Sequence, residues 1–278
     1  MKYKRIYIEI TNQCNLTCDF CAKSHRPKRF MSVVEFKMIC DQIRFFTDYI
    51  YLHVQGEPLL HPDLKEILEI ANQNKLQVQL VTNGTMLHEK IDSLINSPAI
   101  RQVSISLQSM QTIGYLEDSN NRARLLNQLT QLAESGKIVQ IRLWNFSEQV
   151  FTNGLNNCLS FFNIEMDDLF IEKKRYLTNT KNVYFSLDKK FQWPSDPVSS
   201  SRVGTCYGTR TMLGILSDGT LVPCCLDHDG AIALGNVFSS PFSELIDSSR
   251  LKIMNDGFNN RKLIESFCQH CEFRSRFD

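Results

Sequence analysis

The chain is poor in everything that marks a charged or membrane-bound protein. Its 278 residues carry 31 Lys and Arg against 30 Asp and Glu, a formal net charge of +1. That balance excludes a general nucleic-acid binder, which needs a basic surface to displace phosphate counterions. There is no run of 18 apolar residues, so no transmembrane helix is expected and no membrane partner. The start, MKYKRIYIEIT, is basic and then alternating, without the long apolar stretch and small-residue site of a cleavable signal. Cytoplasmic location is the expectation, where thiols stay reduced. There is no internal repeat and no low-complexity tract.

What is present is an apolar content of 42%, enough for a sizeable core, and ten cysteines. In a reducing compartment that number points to metal or catalysis rather than to a disulfide framework. Strand and helix signals alternate over the first two-thirds. Residues 5–11, 49–54, 76–82, 101–107 and 138–144 read as strands, and 182–187 as a sixth. Helices are expected between them. One opens at the capping box Ser32-Val-Val-Glu35, with Phe36, Ile39, Cys40 and Ile43 on one face. One starts at His61-Pro62-Asp63, with proline at its first position. Others fall at residues 87–96, 122–135 and 148–162. Repeated βα units imply a parallel sheet with helices outside. Six are too few for a closed eight-stranded barrel, so the expected class is α/β, an open or partial (βα)6 barrel over residues 1–190. Residues 191–205, rich in Pro and Ser, read as a linker, and 206–278 as a small cysteine-rich α+β domain. In that domain GILSDGTLVPCC reads as a hairpin turning at Asp218-Gly219, and residues 245–255 look helical.

Loops after the C-terminal ends of parallel strands build active sites. Cys14-x3-Cys18-x2-Cys21 follows the first strand, Gln55-Gly56-Glu57-Pro58 the second, Thr82-Asn83-Gly84 the third and Ser106-Leu107-Gln108 the fourth. Three close thiols admit several chemistries. A structural zinc takes four ligands, and Cys18 with Cys21 forms one CxxC pair, so spacing alone leaves zinc open. A redox CxxC would not need Cys14. Packing cysteines would follow a helix or strand period, as Cys40 and Cys158 do and these three do not. An iron–sulfur cluster held by three thiolates leaves one iron open to a ligand.

With an aromatic, Phe20, before its third cysteine, this loop resembles that of the radical S-adenosylmethionine (SAM) enzymes. The resemblance implies that Cys14, Cys18 and Cys21 hold a four-iron cluster whose open iron binds SAM. Reductive cleavage of SAM then gives a 5′-deoxyadenosyl radical that takes a hydrogen atom from substrate. By position, Phe20 would lie beside the adenine. Gly56-Glu57-Pro58 matches the end of the family's GGEP motif, with Gln55 in place of the first glycine, and would meet the SAM amino group. Ser106 matches a polar position near the SAM carboxylate, and Arg142 would pair with that carboxylate or with substrate. A flavodoxin- or ferredoxin-type electron donor is implied.

The C-terminal spacing Cys206-x12-Gly219-x4-Cys224, followed by LGNVF and by Cys268-x2-Cys271, resembles the SPASM extension of some of these enzymes. No further cysteine follows Cys271, which matches the shortened "twitch" form with one auxiliary four-iron cluster on Cys206, Cys224, Cys268 and Cys271. A four-thiolate zinc fits the same spacing. Cys225 is left over. It is a buried neighbour, an exchangeable ligand, or a thiol that gives a hydrogen atom to a substrate radical. Asp227 is a candidate proton acceptor. Relatives of this type modify peptides by crosslinking, epimerisation or oxidation. The twitch form also occurs in a dehydrogenase of aminoglycoside biosynthesis, so peptide and sugar-like alcohol substrates are both expected classes. A zinc-stabilised binding protein is the non-enzymatic alternative. His53, His61 and His88 read as structural, and the run Lys173-Lys174-Arg175 as a solvated face. Trp144, Trp193 and Arg210 face substrate or solvent.

Overall fold

A computed structural model describes residues 2–144, 152–165, 175–188, 191–195 and 200–277. The element order is β1 Arg5–Ile8, α1 Val33–Ile43, β2 Tyr49–Tyr51, α2 Leu64–Gln73, β3 Gln77–Thr82, α3 Leu87–Asn96, β4 Ile100–Ser106 and α4 Leu107–Thr112. It continues with α5 Ser119–Glu134, β5 Ile138–Trp144, α6 Asn153–Phe161, β6 Arg175–Leu177, β7 Val183–Asp188, β8 Met212–Ile215 and β9 Leu221–Val222. Helices α7 Phe242–Leu245, α8 Ser249–Asn259 and α9 Ser266–Gln269 close the chain, with a 3-10 turn at Glu272–Phe277. No described helix is long and apolar enough to cross a membrane.

The residues fall into two compact units. The first holds Met1–Asn15, Asp19–Val78 and Phe191–Asp278; the second holds Leu16–Cys18 and Gln79–Lys190. In the first unit the strand order is β2-β1-β8-β9. Strand β1 pairs in parallel with β2 (Tyr7 opposite Tyr51) and with β8 (Tyr7 opposite Gly214), while β8 and β9 form an antiparallel hairpin. Alternation sends Ile6 and Ile8 into the core, where Ile39, Ile43, Leu64, Ile67 and Leu68 of α1 and α2 are also buried. The capping box forms as read, with Ser32 accepting from the Glu35 amide and the Glu35 carboxylate accepting from Ser32 N. Helix α2 begins later than expected, at Leu64 with Asp63 as its cap. Its proline is not the first residue. Instead Pro58 opens a 3-10 turn, and His61 ties that turn to Met31 O at 2.8 Å and to Asp63 N at 3.1 Å.

In the second unit the order is β3-β4-β5-β7-β6. β4, β5 and β7 run parallel, and the short β6, absent from the sequence reading, turns back antiparallel on β7. Val103, Ile105, Val139, Ile141 and Phe185 fill the core with Leu155 and Phe162. The helix expected over 148–162 is seen as α6, its first residues lying outside those described, as do Lys173 and Lys174. The strands are mostly parallel and neither set closes into a barrel of its own, which is the open α/β class expected.

Residues 191–195 pack rather than hang free. Phe191 is buried, its ring 5.0 Å from Phe273 and 5.1 Å from Trp193. The helix expected over 245–255 is two helices, α7 and α8.

Candidate functional site

The loop after β1 is tied at its base. The Thr11 hydroxyl donates to Arg29 O at 2.9 Å, and Asn12 joins Pro27 O (2.9 Å) and Arg29 N (2.8 Å). Between these ties Cys14 and Cys21 are exposed and Cys18 half-buried, so the thiols are presented rather than packed. The loop after β2 lies on its first residues. Glu57 N donates to Gln13 O at 2.7 Å. Gly56 has φ +77°, and a Cβ there would stand 2.4 Å from Thr11 O, so only glycine permits the approach. The buried Glu57 carboxylate accepts from Leu59 N at 3.0 Å and caps the 3-10 turn.

In the second unit Ser106 and Arg142 are register neighbours on β4 and β5. The Arg142 guanidinium lies over the Trp144 ring at 4.1 Å. They share a strand face with residues the sequence reading missed. Ser104 Oγ donates to Gln140 Oε1 at 2.7 Å, and Gln102 Nε2 to the same oxygen at 2.9 Å. Tyr184 on β7 reaches Gln102 Oε1 at 3.4 Å. The signal was there: polar residues recur at every second position of β4 and β5, against Val103, Ile105, Val139 and Ile141. After β3, Asn83 closes its own turn by accepting from Thr85 N and Oγ, and Gly84 takes φ +78°.

The C-terminal thiols gather in the first unit. The β8–β9 hairpin turns at Gly219, whose φ is +85° and whose Cβ would meet Phe238 at 2.4 Å. It delivers Cys224 and Cys225 to one cavity with Cys206, Cys268 and Cys271, walled by Met212, Leu226, Leu263, Phe267, Phe273 and Phe277. Burial pushes the Cys206, Cys224 and Cys268 thiols up, and Cys271 to about 11. Neighbouring thiols add to this at Cys224, Cys268 and Cys271. Two cations oppose it. Arg274 borders the cavity beside Cys206 and Cys271, and Arg210 Nε donates to Cys206 O at 2.7 Å. Among the described residues no three His, Cys, Asp or Glu side chains converge as for a single bound ion; these thiols border a cavity instead. Apolar walls and at least four thiols are the donor set of an iron–sulfur cluster, and metal binding would displace the thiol protons.

Cys225 differs from its neighbours. It is a charged-state neighbour of Tyr7, whose pKa burial raises well above the usual tyrosine range. Asp227 is fully buried with both oxygens occupied, accepting from Ala231 N (2.7 Å) and Ile232 N (2.8 Å). That fixes the loop after Cys225 and leaves the carboxylate engaged by backbone. Burial, outweighing those amides, raises its pKa.

The two cysteine loops of this unit are clamped to each other. Ser24 Oγ donates to Asp229 Oδ1 at 2.6 Å, and His25 Nδ1 stands 3.0 Å from Asp229 Oδ2. Burial works against the Asp229 charge, but bonds from Ser24 and His25 hold its pKa down to about 2. Arg26 pairs with the fully buried Glu9 through Nη2, at 2.7 and 2.5 Å, and its Nε donates to His228 O at 2.7 Å. Trp193 Nε1 donates to Phe20 O at 2.9 Å, and its ring meets His228 edge-on at 5.7 Å. Cys40 and Cys158 are buried on α1 and α6, as packing residues.

Comparison with known proteins agrees with the geometry. Residues 8–144 match the radical SAM superfamily, and residues 206–272 match the SPASM iron-sulfur cluster-binding domain. The chain belongs to the radical SAM superfamily and carries a SPASM domain. Together the two domains imply SAM and iron–sulfur clusters as the groups such a chain holds.

Among solved structures it is similar to BtrN in complex with AdoMet and 2-DOIA, with 16% identity, 98% of this chain and 94% of that one covered, and TM-score 0.59. It is also similar to Streptococcus suis SuiB bound to the precursor peptide SuiA, with 15% identity, 98% and 71% covered, and TM-score 0.63. These likenesses show the fold. By sequence it is 31% identical over 102 residues to an AdoMet-dependent heme synthase of Methanosarcina barkeri, covering 36% of this chain and 29% of that protein. It is 26% identical over 186 residues to a GTP 3′,8-cyclase of Aquifex aeolicus, covering 63% of this chain and 53% of that protein. The matched stretches thus span between about a third and a half of those relatives.

Proposed function

We propose that the protein modifies a peptide, removing a hydrogen atom from a backbone carbon and returning one from Cys225, an epimerisation. The observation that carries this is the fifth thiol, Cys225, lining a cavity with four others where a cluster needs four. Two four-iron clusters are assigned, one on Cys14, Cys18 and Cys21, the other on Cys206, Cys224, Cys268 and Cys271. With SAM bound and one electron from the ferredoxin- or flavodoxin-class donor, the first would cleave the C5′–S bond, giving methionine and a 5′-deoxyadenosyl radical. The loop Gly56-Glu57-Pro58 closes on the residues before Cys14 and shapes the SAM site. Ser106 and Arg142, on a polar strand face, orient carboxylate groups of SAM or substrate. Phe20, its carbonyl fixed by Trp193, sits beside the adenine.

The hydrogen taken from the carbon leaves as 5′-deoxyadenosine. The Cys225 S–H bond then breaks, a C–H bond forms on the opposite face, and a thiyl radical remains. One electron from a ferredoxin- or flavodoxin-class donor and one solvent proton restore the thiol. The similarity to BtrN over nearly the whole of both chains favours a second reading, oxidation of a small alcohol. There the auxiliary site accepts the second electron.

The test starts from iron and sulfide counts on anaerobically reconstituted protein. About eight irons in the wild type and about four in a Cys14/Cys18/Cys21→Ala variant support two four-iron sites. Zinc in place of iron overturns the enzyme reading. Turnover in deuterated water against a synthetic peptide library separates the reactions. Deuterium at an inverted α-carbon, lost in Cys225→Ala, supports epimerisation. Oxidised product without deuterium supports the second reading.

A further inference from the structure

We infer that Asp229 is a positioning residue of the loop that carries Cys21. It holds the segment after Cys21 from the turn that follows Cys224, so that loading the auxiliary site orders the SAM-cluster loop. The inference rests on the two iron–sulfur sites assigned above and names what makes one depend on the other.

The turn after Cys224 is closed on itself. Asp227 N donates to Cys224 O at 3.3 Å, and the Asp227 carboxylate accepts from Ala231 N and Ile232 N. Residues 224–232 are thus tied near both ends, with Cys224 and Leu226 on the cavity wall and Asp229 between the ties. Metal binding would join Cys206, Cys224, Cys268 and Cys271 at one point and take freedom from this turn.

The segment after Cys21 is held by the turn at successive residues. Ser24 Oγ donates to Asp229 Oδ1 at 2.6 Å. His25 N donates to the same oxygen at 3.2 Å, and His25 Nδ1 stands 3.0 Å from Oδ2. Arg26 N donates to Ser24 Oγ at 3.3 Å, and Arg26 Nε to His228 O at 2.7 Å. Ties from nearer in the chain flank this stretch: Gln55 Nε2 donates to Ala22 O, and Asn12 Nδ2 to Pro27 O. Between them, Ser24 and His25 reach across 205 and 204 positions to one carboxylate. Packing supplies little here. Cys21, Lys23 and Pro27 are exposed, and the His25 side chain is 90% exposed. Bonds to an ionised acceptor are the strong ones, and a hydroxyl, an amide and a ring nitrogen converging on it fix orientation as well as position.

The experiment uses the full-length Cys14/Cys18/Cys21→Ala protein, whose N-terminal site cannot hold a cluster. It is compared metal-free and after anaerobic reconstitution with iron and sulfide. Backbone hydrogen exchange is read by mass spectrometry on peptides covering residues 22–29, with iron counted on the same samples. About four irons bind. Exchange at His25 and Arg26 slows about tenfold on loading, the size of one hydrogen bond to a charged group. Adding Asp229→Ala keeps the iron and abolishes the slowing. Asp229→Asn, which keeps Oδ1 as acceptor for Ser24 and His25 N, restores part of it. With all cysteines present, Asp229→Ala binds about eight irons, but a chelator strips the N-terminal four about tenfold faster than in the wild type.

Equal exchange with and without bound iron overturns the coupling. Unchanged exchange or chelation in Asp229→Ala overturns the role of Asp229, and so does loss of the auxiliary iron, which would make Asp229 a support of that site alone. Should Asp229→Ala fold poorly, Ser24→Ala removes the shortest of the three bonds from the other side. The same faster exchange at residues 22–29 is then expected, and no change overturns the inference. The two readings fail distinguishably. Zinc or no metal at the auxiliary site sinks the cluster assignment and the inference with it, whereas bound iron with no change at residues 22–29 sinks the inference alone.

Discussion

Replacing Arg26 by methionine isolates the buried pair that joins the two cysteine loops. Glu9 has no exposed side-chain surface and Arg26 only 11%. The pair is bidentate through one nitrogen, at 2.7 and 2.5 Å. Methionine keeps most of the stem and removes the charge. Glu9 then retains only the amides of Ser217 at 3.0 Å and Gln55 at 3.2 Å. Stranding one member of a buried pair costs about 3–5 kcal/mol, against ~0–1 for a surface pair. Loss of the bond to His228 O adds about 1 kcal/mol. At roughly 2 °C per kcal/mol for a chain of this size, the midpoint falls by about 8–12 °C. Scanning calorimetry of the metal-free protein reads this without interference from iron. The control is Glu9→Leu/Arg26→Met, which removes both charges and regains most of the loss, because the penalty belongs to the stranded carboxylate. A single-mutant fall under about 2 °C refutes the burial argument, and a double mutant as unstable as the single refutes the stranded-charge argument.

Other perturbations separate structure from chemistry. Gly219→Ala forces a side chain to φ +85° and into Phe238. A loss of at least ~1–3 kcal/mol is expected in urea unfolding, with loss of the C-terminal iron because the hairpin carries Cys224. Asp229 is depressed to about 2, so its stabilisation is full above its unfolded value near 3.8 and is lost as pH falls toward 2. Asp229→Asn flattens that acid limb. About 1–2 kcal/mol is at stake after allowing for solvent screening at this partly exposed group, measured as unfolding free energy between pH 5 and about 2. Cys40→Ser buries a hydroxyl where a thiol packed and costs about 1–3 kcal/mol, while the iron count is unchanged.

Local features were legible because their causes are local. The capping box, the turn at Gly219 and the packing faces carrying Cys40 and Cys158 follow from residues within a few positions of each other. So do the strand ranges of β3, β4 and β5, within a residue. Where reading slipped, a distant contact intervened. The strand expected over 49–54 stops at Tyr51, and the chain beyond it turns toward Thr11 and Gln13 at Gly56. Residues 191–195 looked like a linker by composition, but Phe191 and Trp193 pack against Phe273 and the cysteine loop. Composition reports flexibility only when nothing distant covers the segment.

The sequence by itself determined the thiols and their spacing, the alternation that builds a parallel sheet, and through these the superfamily. Tertiary structure decided what the thiols face. Strand β8 starts 207 positions after the start of β1, yet it pairs with β1 in parallel, and no periodicity in either segment names the other as partner. That pairing sets Gly214 beside Tyr7 and lets the Cys224 backbone pass close to β8. It likewise let Arg26, five residues past Cys21, find Glu9 and His228. Hydrogen-bond spacing and side-chain period are properties of the local chain. The choice of neighbour is made by burial and register among elements far apart in sequence, and the chemistry assigned to Cys225 depends on that choice.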